Sequence, residues 1–218
     1  GLATFTAVWN SARTPREYMN TVQPAIYELF LSELGMLAEE YISDNLRRRN
    51  IPVAQISCEN STSIQSSGDE TFSVSVSVAS EDFSEAVRSV AEAMGRLDAG
   101  KADVRDLIRM KRICMNKSRE LAVKPVVKNS EHVDRCVAAF IHNASLSTLQ
   151  TKVDFLTGRV LADSTELRLF NNISSAILDP ESNLSVSYSC MMPEDSVKAI
   201  FSKSWVENVD STYMAEQD

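Results

Sequence analysis

The sequence predicts an α+β domain: a small mixed, largely antiparallel sheet covered on one face by helices. Three observations carry this. Apolar and polar residues alternate strictly from Thr71 to Val78, valine against serine, the pattern of a strand with one face in a core. Long segments of helical period follow one another after that strand. The order of elements reads β-α-β-β-α-α-α-α-α-β-α, without the regular strand–helix alternation of a doubly wound parallel sheet.

Each element has its own reason. Leu2 to Trp9 alternates Phe5 against flanking threonines, as a strand does. Thr14-Pro15-Arg16-Glu17 combines a capping hydroxyl, a first-position proline and an early acid, so a helix is expected from there to about Asn50. Its apolar positions are Ile26, Leu29, Phe30, Leu34, Leu37 and Ile42; Pro24 removes a donor and predicts a kink or a division into two segments. A second strand begins at Val53 and fades by Ser61 to Ser63; Ser66-Ser67-Gly68-Asp69 then turns the chain into the strand at 71–78, making an antiparallel hairpin. Helices are expected from Phe83 to about Leu97, ended by Ala99-Gly100, and from Asp103 to about Val123, stopped before Pro125. A third, capped by Asn129 or Ser130, runs through Val133, Val137, Phe140 and Ile141. Two more cover Leu146 to Leu161 and Ser164 to Leu178. Leu184 to Cys190 alternates as a last strand, and Pro193-Glu194-Asp195 starts a last helix through Val197, Ile200, Phe201 and Trp205. One domain, 1–209, is expected, with 210–218 as an acidic tail or the start of a linker.

Composition narrows the function. The 218 residues carry 30 acidic and 22 basic side chains, a formal net charge of −8, which argues against a nucleic-acid grip. No apolar run reaches the ~18 residues of a membrane span. The chain opens Gly1-Leu2-Ala3 without an initiator Met or a leader, so a processed or truncated start is expected and both ends read as cut from something longer.

The chemistry-bearing residues are few. Cys58, Cys114, Cys136 and Cys190 lie far apart with no C-x-x-C, so a zinc knuckle is not indicated; they read as small hydrophobes, and spacing leaves both disulfide pairing and redox compartment open. His132 and His142 are the two histidines, ten residues apart. On one continuous helix that is ~15 Å at ~1.5 Å per residue, too far to share an ion. There is no G-x-S-x-G, no Gly-rich phosphate loop, and no acid or oxyanion donor to complete a Cys136–His132 pair. No catalytic or metal-ligating set is therefore assigned. Arg47-Arg48-Arg49 is the densest positive spot; cations there complement the negative end of a helix, or pair with a substrate or a neighbouring domain. Ser73, Ser75 and Ser77 read as a solvated sheet face or as the lining of a chamber.

Three strings, in this order and spacing, resemble the pitrilysin/insulinase family of zinc peptidases, which includes the mitochondrial processing peptidases. Leu46-Arg47-Arg48-Arg49-Asn50-Ile51-Pro52-Val53-Ala54-Gln55-Ile56-Ser57 is similar to the family's long helix ending in arginines before a hairpin. Phe72 to Val78 followed by Phe83-Ser84-Glu85-Ala86-Val87 is similar to its strand and following helix, and Gly100 to Lys111 to its Gly-x-x-x-x-x-Glu-Leu-x-x-Ala-Lys stretch. The resemblance covers roughly residues 3 to 209. It implies a domain repeated in tandem, in pairs that close around a peptide chamber, with zinc held by H-x-x-E-H and a distant Glu in another domain type. This chain lacks those ligands, so the resemblance implies a non-catalytic domain of a bacterial zinc endopeptidase, with no cofactor in this chain and zinc in the parent protein. Its implied partners are sibling domains and, through the parent, a peptide substrate; the long bacterial members imply a periplasmic or secreted location. Where many such domains carry Arg followed seven residues later by a substrate-facing Tyr, this chain has Arg47 with Ala54 and Arg48 with Gln55. That departure favours the second domain of a long chain. The residues singled out as facing substrate or a neighbouring domain are Arg47, Arg48, Gln55, Ser73, Ser75 and Ser77. The alternatives are a pseudo-enzyme or scaffold of the same fold, and an unrelated helix-rich interaction domain.

Overall fold

The computed structural model describes residues 1–12, 15–19, 21, 23–62, 69–122, 128–142, 144–146, 148, 150–151, 153–154, 164–181 and 184–215. Its strands are β1 (Leu2–Ala12), β2 (Val53–Thr62), β3 (Asp69–Ala79) and β4 (Leu184–Ser189). They form a four-stranded sheet in the order β2-β3-β1-β4. All three pairings are antiparallel, so the chain has an α+β fold whose described sheet is wholly antiparallel.

Alternation decides which face is buried. Ala3, Phe5, Ala7 and Trp9 of β1 and Phe72, Val74, Val76 and Val78 of β3 are at most 2% exposed, whereas the residues between them on each strand are half-buried. The helices that cover this face are α1 (Gln23–Arg48), α2 (Phe83–Asp98), α5 (Ser164–Leu178) and α6 (Glu194–Ala215). Further out lies α3 (Val104–Ala122), packed against α1. Aromatic rings join the layers: Phe5 meets Phe83 and Phe201, and Trp9, beside Phe72 within the sheet, meets Trp205, with centroids 5.6–6.5 Å apart. Such edge and tilted contacts add to the area these rings bury.

Pro24 divides the first helical stretch instead of kinking it. A 3-10 turn, Arg16–Tyr18, comes first, and α1 then begins one residue before the proline, in the first turn where a missing N–H costs nothing. Thr14, read as that region's cap, lies outside the described residues, as do 66–68 of the hairpin turn. Of the helix read over 146–161, helical backbone is described at 150–151 and 153–154, and the remainder of its interior falls outside the described residues or shows none. Asp103 caps α3, its carboxylate accepting from Arg105 N–H at 2.7 Å. Both α1 and α2 end in a left-handed residue, Asn50 (φ 55°) and Gly100 (φ 67°). The amides after them reach back, Ile51 to the Leu46 carbonyl and Lys101 to that of Arg96, at 3.0 and 3.1 Å, which closes each helix end.

The helix α4 (Asn129–His142) forms as expected, and its Val133, Val137, Phe140 and Ile141 are 46–82% exposed. Their spacing marks one helical face, and periodicity says nothing about whether a neighbour comes to cover it. The expectation that the cysteines are small buried hydrophobes needs correction at one position: Cys114 is buried and Cys58 and Cys190 half-buried, but Cys136, on α4, is exposed. The final helix runs through Ala215. Among the described residues no helix is long and apolar enough to cross a membrane.

Candidate functional site

The face of the sheet turned away from the core is a grid of mostly short, neutral side chains. Register sets its rows. Gln55, Ser77, Thr4 and Ser189 stand side by side across β2, β3, β1 and β4; the next row is Ser57, Ser75, Thr6 and Ser187, and the third Glu59, Ser73, Val8 and Ser185. The hydroxyls pair across strands, Thr4 with Ser77 at 2.9 Å and Thr6 with Ser75 at 3.0 Å, while Ser73 donates to the Glu59 carbonyl at 3.4 Å. These cross-strand pairs hold the middle strands in register. In the two rows nearest the start of β1 no side chain is charged. The result is a surface rich in both donors and acceptors.

The structure brings Gln55, Ser73, Ser75 and Ser77 together on this face. It places Arg47 and Arg48 elsewhere, at the C-terminal end of α1 in the helix layer. Arg47 is three-quarters exposed and pairs with Asp44 at 3.1 Å, one turn back, while Arg48 is exposed. Their neighbour Arg49 does the structural work: its guanidinium grips Glu92 at 2.7 and 2.8 Å and Glu85 at 3.1 Å, tying the end of α1 to α2. Sequence reading singled out Arg47 and Arg48 and passed over Arg49, whose partners lie on another helix. It also missed Thr4, Thr6, Ser185 and Ser187, whose alternation was legible but whose alignment with β3 depends on register.

A recess of about 480 Å3 opens where α2 and α5 end, lined by Asp98, Asn172, Ser175, Ala176 and Asp179. Burial raises the Asp98 carboxyl and the charge of Asp179 adds to this, while hydrogen bonds from Ser175 (3.0 Å) and the Trp205 indole (3.3 Å) pull the other way. On the outer side, Tyr41 donates to Asp106 at 2.8 Å, Arg109 binds both Asp106 and Glu40, and Arg96 lies 4.0 Å over the Tyr41 ring. These contacts lock α1, α2 and α3 together.

Among the described residues the donor set does not fit a zinc centre. His132 lies on the same unbroken helix as His142, ten residues away. Among the described residues no three His, Cys, Asp or Glu side chains gather so as to hold a metal ion. Cys58 and Cys114 are poor nucleophiles where they stand, burial pushing their thiols up to about 12 and about 11.

No family model and no curated protein matches this sequence. Solved structures do match its fold. One, described as a predicted insulinase family protease from Yersinia pestis, superposes with a TM-score of 0.66 at 15% identity, covering 95% of this chain and 43% of that one. The periplasmic protease PqqL from Escherichia coli superposes with a TM-score of 0.72 at 7% identity, covering 94% of this chain and 23% of that protein. A putative M16-like peptidase from Alicyclobacillus acidocaldarius gives a TM-score of 0.57 at 13% identity, over 85% of this chain and 40% of that one. This chain therefore spans less than half the length of these proteins, and its fold is that of a domain of the insulinase-type peptidases.

Proposed function

We propose that this chain is a partner domain of a zinc endopeptidase: it walls part of a peptide chamber and holds contacts between domains, while another domain cleaves the bond. The observation that carries this reading is the open sheet face. Its short hydroxyls pair with one another across strands yet keep lone pairs and donors for a backbone lying over them. The two uncharged rows select against no side-chain charge, as a wall facing peptides of varied sequence requires. The fold and the fraction of each neighbour's length it covers support a place among sibling domains. Zinc and its ligands would then belong to one of those siblings, and the periplasmic neighbour supports a periplasmic or secreted location for the parent.

A second reading, a scaffold or pseudo-enzyme of the same fold, draws support from the exposed apolar stripe on α4, which suits a protein contact. The sequence upstream discriminates: H-x-x-E-H with a distant Glu supports the peptidase, and its absence the scaffold. The functional test is Ser75→Lys in the parent polypeptide, which puts a long charged side chain in the middle row. Peptide turnover should fall at least tenfold with zinc content and Tm unchanged. Unaltered turnover would remove the wall from the account.

A further inference from the structure

Glu33 faces into the helix layer from α1 at 0% exposure, and neither of its carboxyl oxygens has a hydrogen-bond partner. Its neighbours along that face, Phe30, Leu34 and Leu37, are apolar and buried. An ionised carboxylate in such a place is strongly disfavoured. The groups that act on it come from α3 and α5. From α3 come Lys111, 8% exposed, and Cys114; from α5 comes Glu166, whose carboxylate accepts from the Lys111 ammonium at 2.6 Å. The other two elements packed on α1 bring their charged and titratable groups to different places along it. From α2, Arg96 lies over Tyr41 and Glu85 and Glu92 hold Arg49, while from β2 Cys58 adjoins Gly35.

The charges decide the state. With Glu33 neutral, the set holds one ammonium and one carboxylate, which cancel. With Glu33 ionised, a surplus negative charge is enclosed away from water. Burial, then the charge of Glu166, push the Glu33 carboxyl up to about 8, with Lys111 pulling it down. We propose that Glu33, Lys111 and Glu166 form a proton-holding latch: closing α1 against α3 and α5 takes up one proton at this junction, and opening the junction releases it. The sign follows from linkage. A carboxyl raised in the folded state from 4.5 contributes stability that is fully present below that value and is lost as pH rises toward about 8. Alkaline conditions therefore favour the open junction and acid to neutral conditions the closed one.

The test is a 13C NMR titration of the Glu33 side-chain carboxyl in this chain, paired with urea unfolding from pH 5 to 9. In the wild type Glu33 should titrate near 8. In Glu166→Gln it should become the counter-ion of Lys111 and bind its proton at least tenfold more weakly, a coupling that passive packing would not produce. In Glu33→Gln the folding constant should gain on the wild type by up to about tenfold per pH unit between pH 5 and 8. A wild-type Glu33 titrating near 4.5, a Glu166→Gln variant that leaves it unmoved, or equal pH slopes for wild type and Glu33→Gln would each overturn the latch. Should Glu33→Gln fail to fold, the wild-type and Glu166→Gln titrations decide alone.

Discussion

Gly35 lies in the interior of α1 where that helix crosses β2. A Cβ added there would stand 3.5 Å from the Cys58 carbonyl oxygen, 3.7 Å from the Cys58 Cβ and 3.9 Å from a Phe72 ring carbon. These are ordinary van der Waals separations, so a methyl group fits without displacing backbone. Alanine exceeds glycine in helix propensity by ~0.8–1.0 kcal/mol. Gly35→Ala should therefore stabilise the domain by about 1 kcal/mol, or ~2–4 °C in Tm for a domain of this size. Gly35→Leu must push into the Cys58 backbone, and overpacking of this kind costs ~1–3 kcal/mol. Urea unfolding of the wild type and both variants, compared through midpoint and slope, separates the two. Gly35→Ala losing more than ~1 kcal/mol would show that α1 and β2 approach more closely than described, and the packing argument would fail.

Gly100, at φ 67°, differs in kind: Gly100→Ala should lose ~1 kcal/mol, because a Cβ in the left-handed region is strained whatever the space around it, and a melting curve unchanged from wild type would contradict this. Asp106 concerns acid stability. Partial burial raises its carboxyl, but the hydrogen bonds from Arg109 and Tyr41 and the Arg109 charge outweigh this and hold it below the usual range. A carboxyl lowered in the folded state gives stability that is present above its unfolded value and lost as pH falls through the folded one. Tyr41→Phe removes one donor, so the stability difference from wild type should be full at pH 6 and shrink below pH 4; a pH-independent difference would contradict that assignment.

How much was legible depends on what each feature requires. The Val–Ser alternation of β3 announces its own burial pattern, because strand side chains must alternate and only one face met a core. Gly100 after α2 was legible because few residues accept that backbone conformation. Register was not: the rows through Gln55, Ser77, Thr4 and Ser189 join residues far apart in sequence, and the bulge between Val53 and Gln55 sets which β2 side chains join them. The choice of Arg49 over Arg47 and Arg48 also needed tertiary partners, since three adjacent residues point in three directions on a helix. Glu33 could have been noticed. It sits one turn from Leu29, Phe30 and Leu37 on an apolar face, where an acid is out of place. The stripe on α4 shows the opposite limit, a legible period whose burial no local pattern decides.

The central claim is that peptide-bond cleavage lies outside this chain. The most direct measurement is a zinc titration of the purified chain, followed by Tm, with peptide turnover assayed in the presence and absence of a chelator. The expected result is no stoichiometric stabilisation by zinc and no chelator-sensitive turnover. A one-to-one zinc site that raises Tm, or polypeptide digestion that stops on chelation, would contradict it.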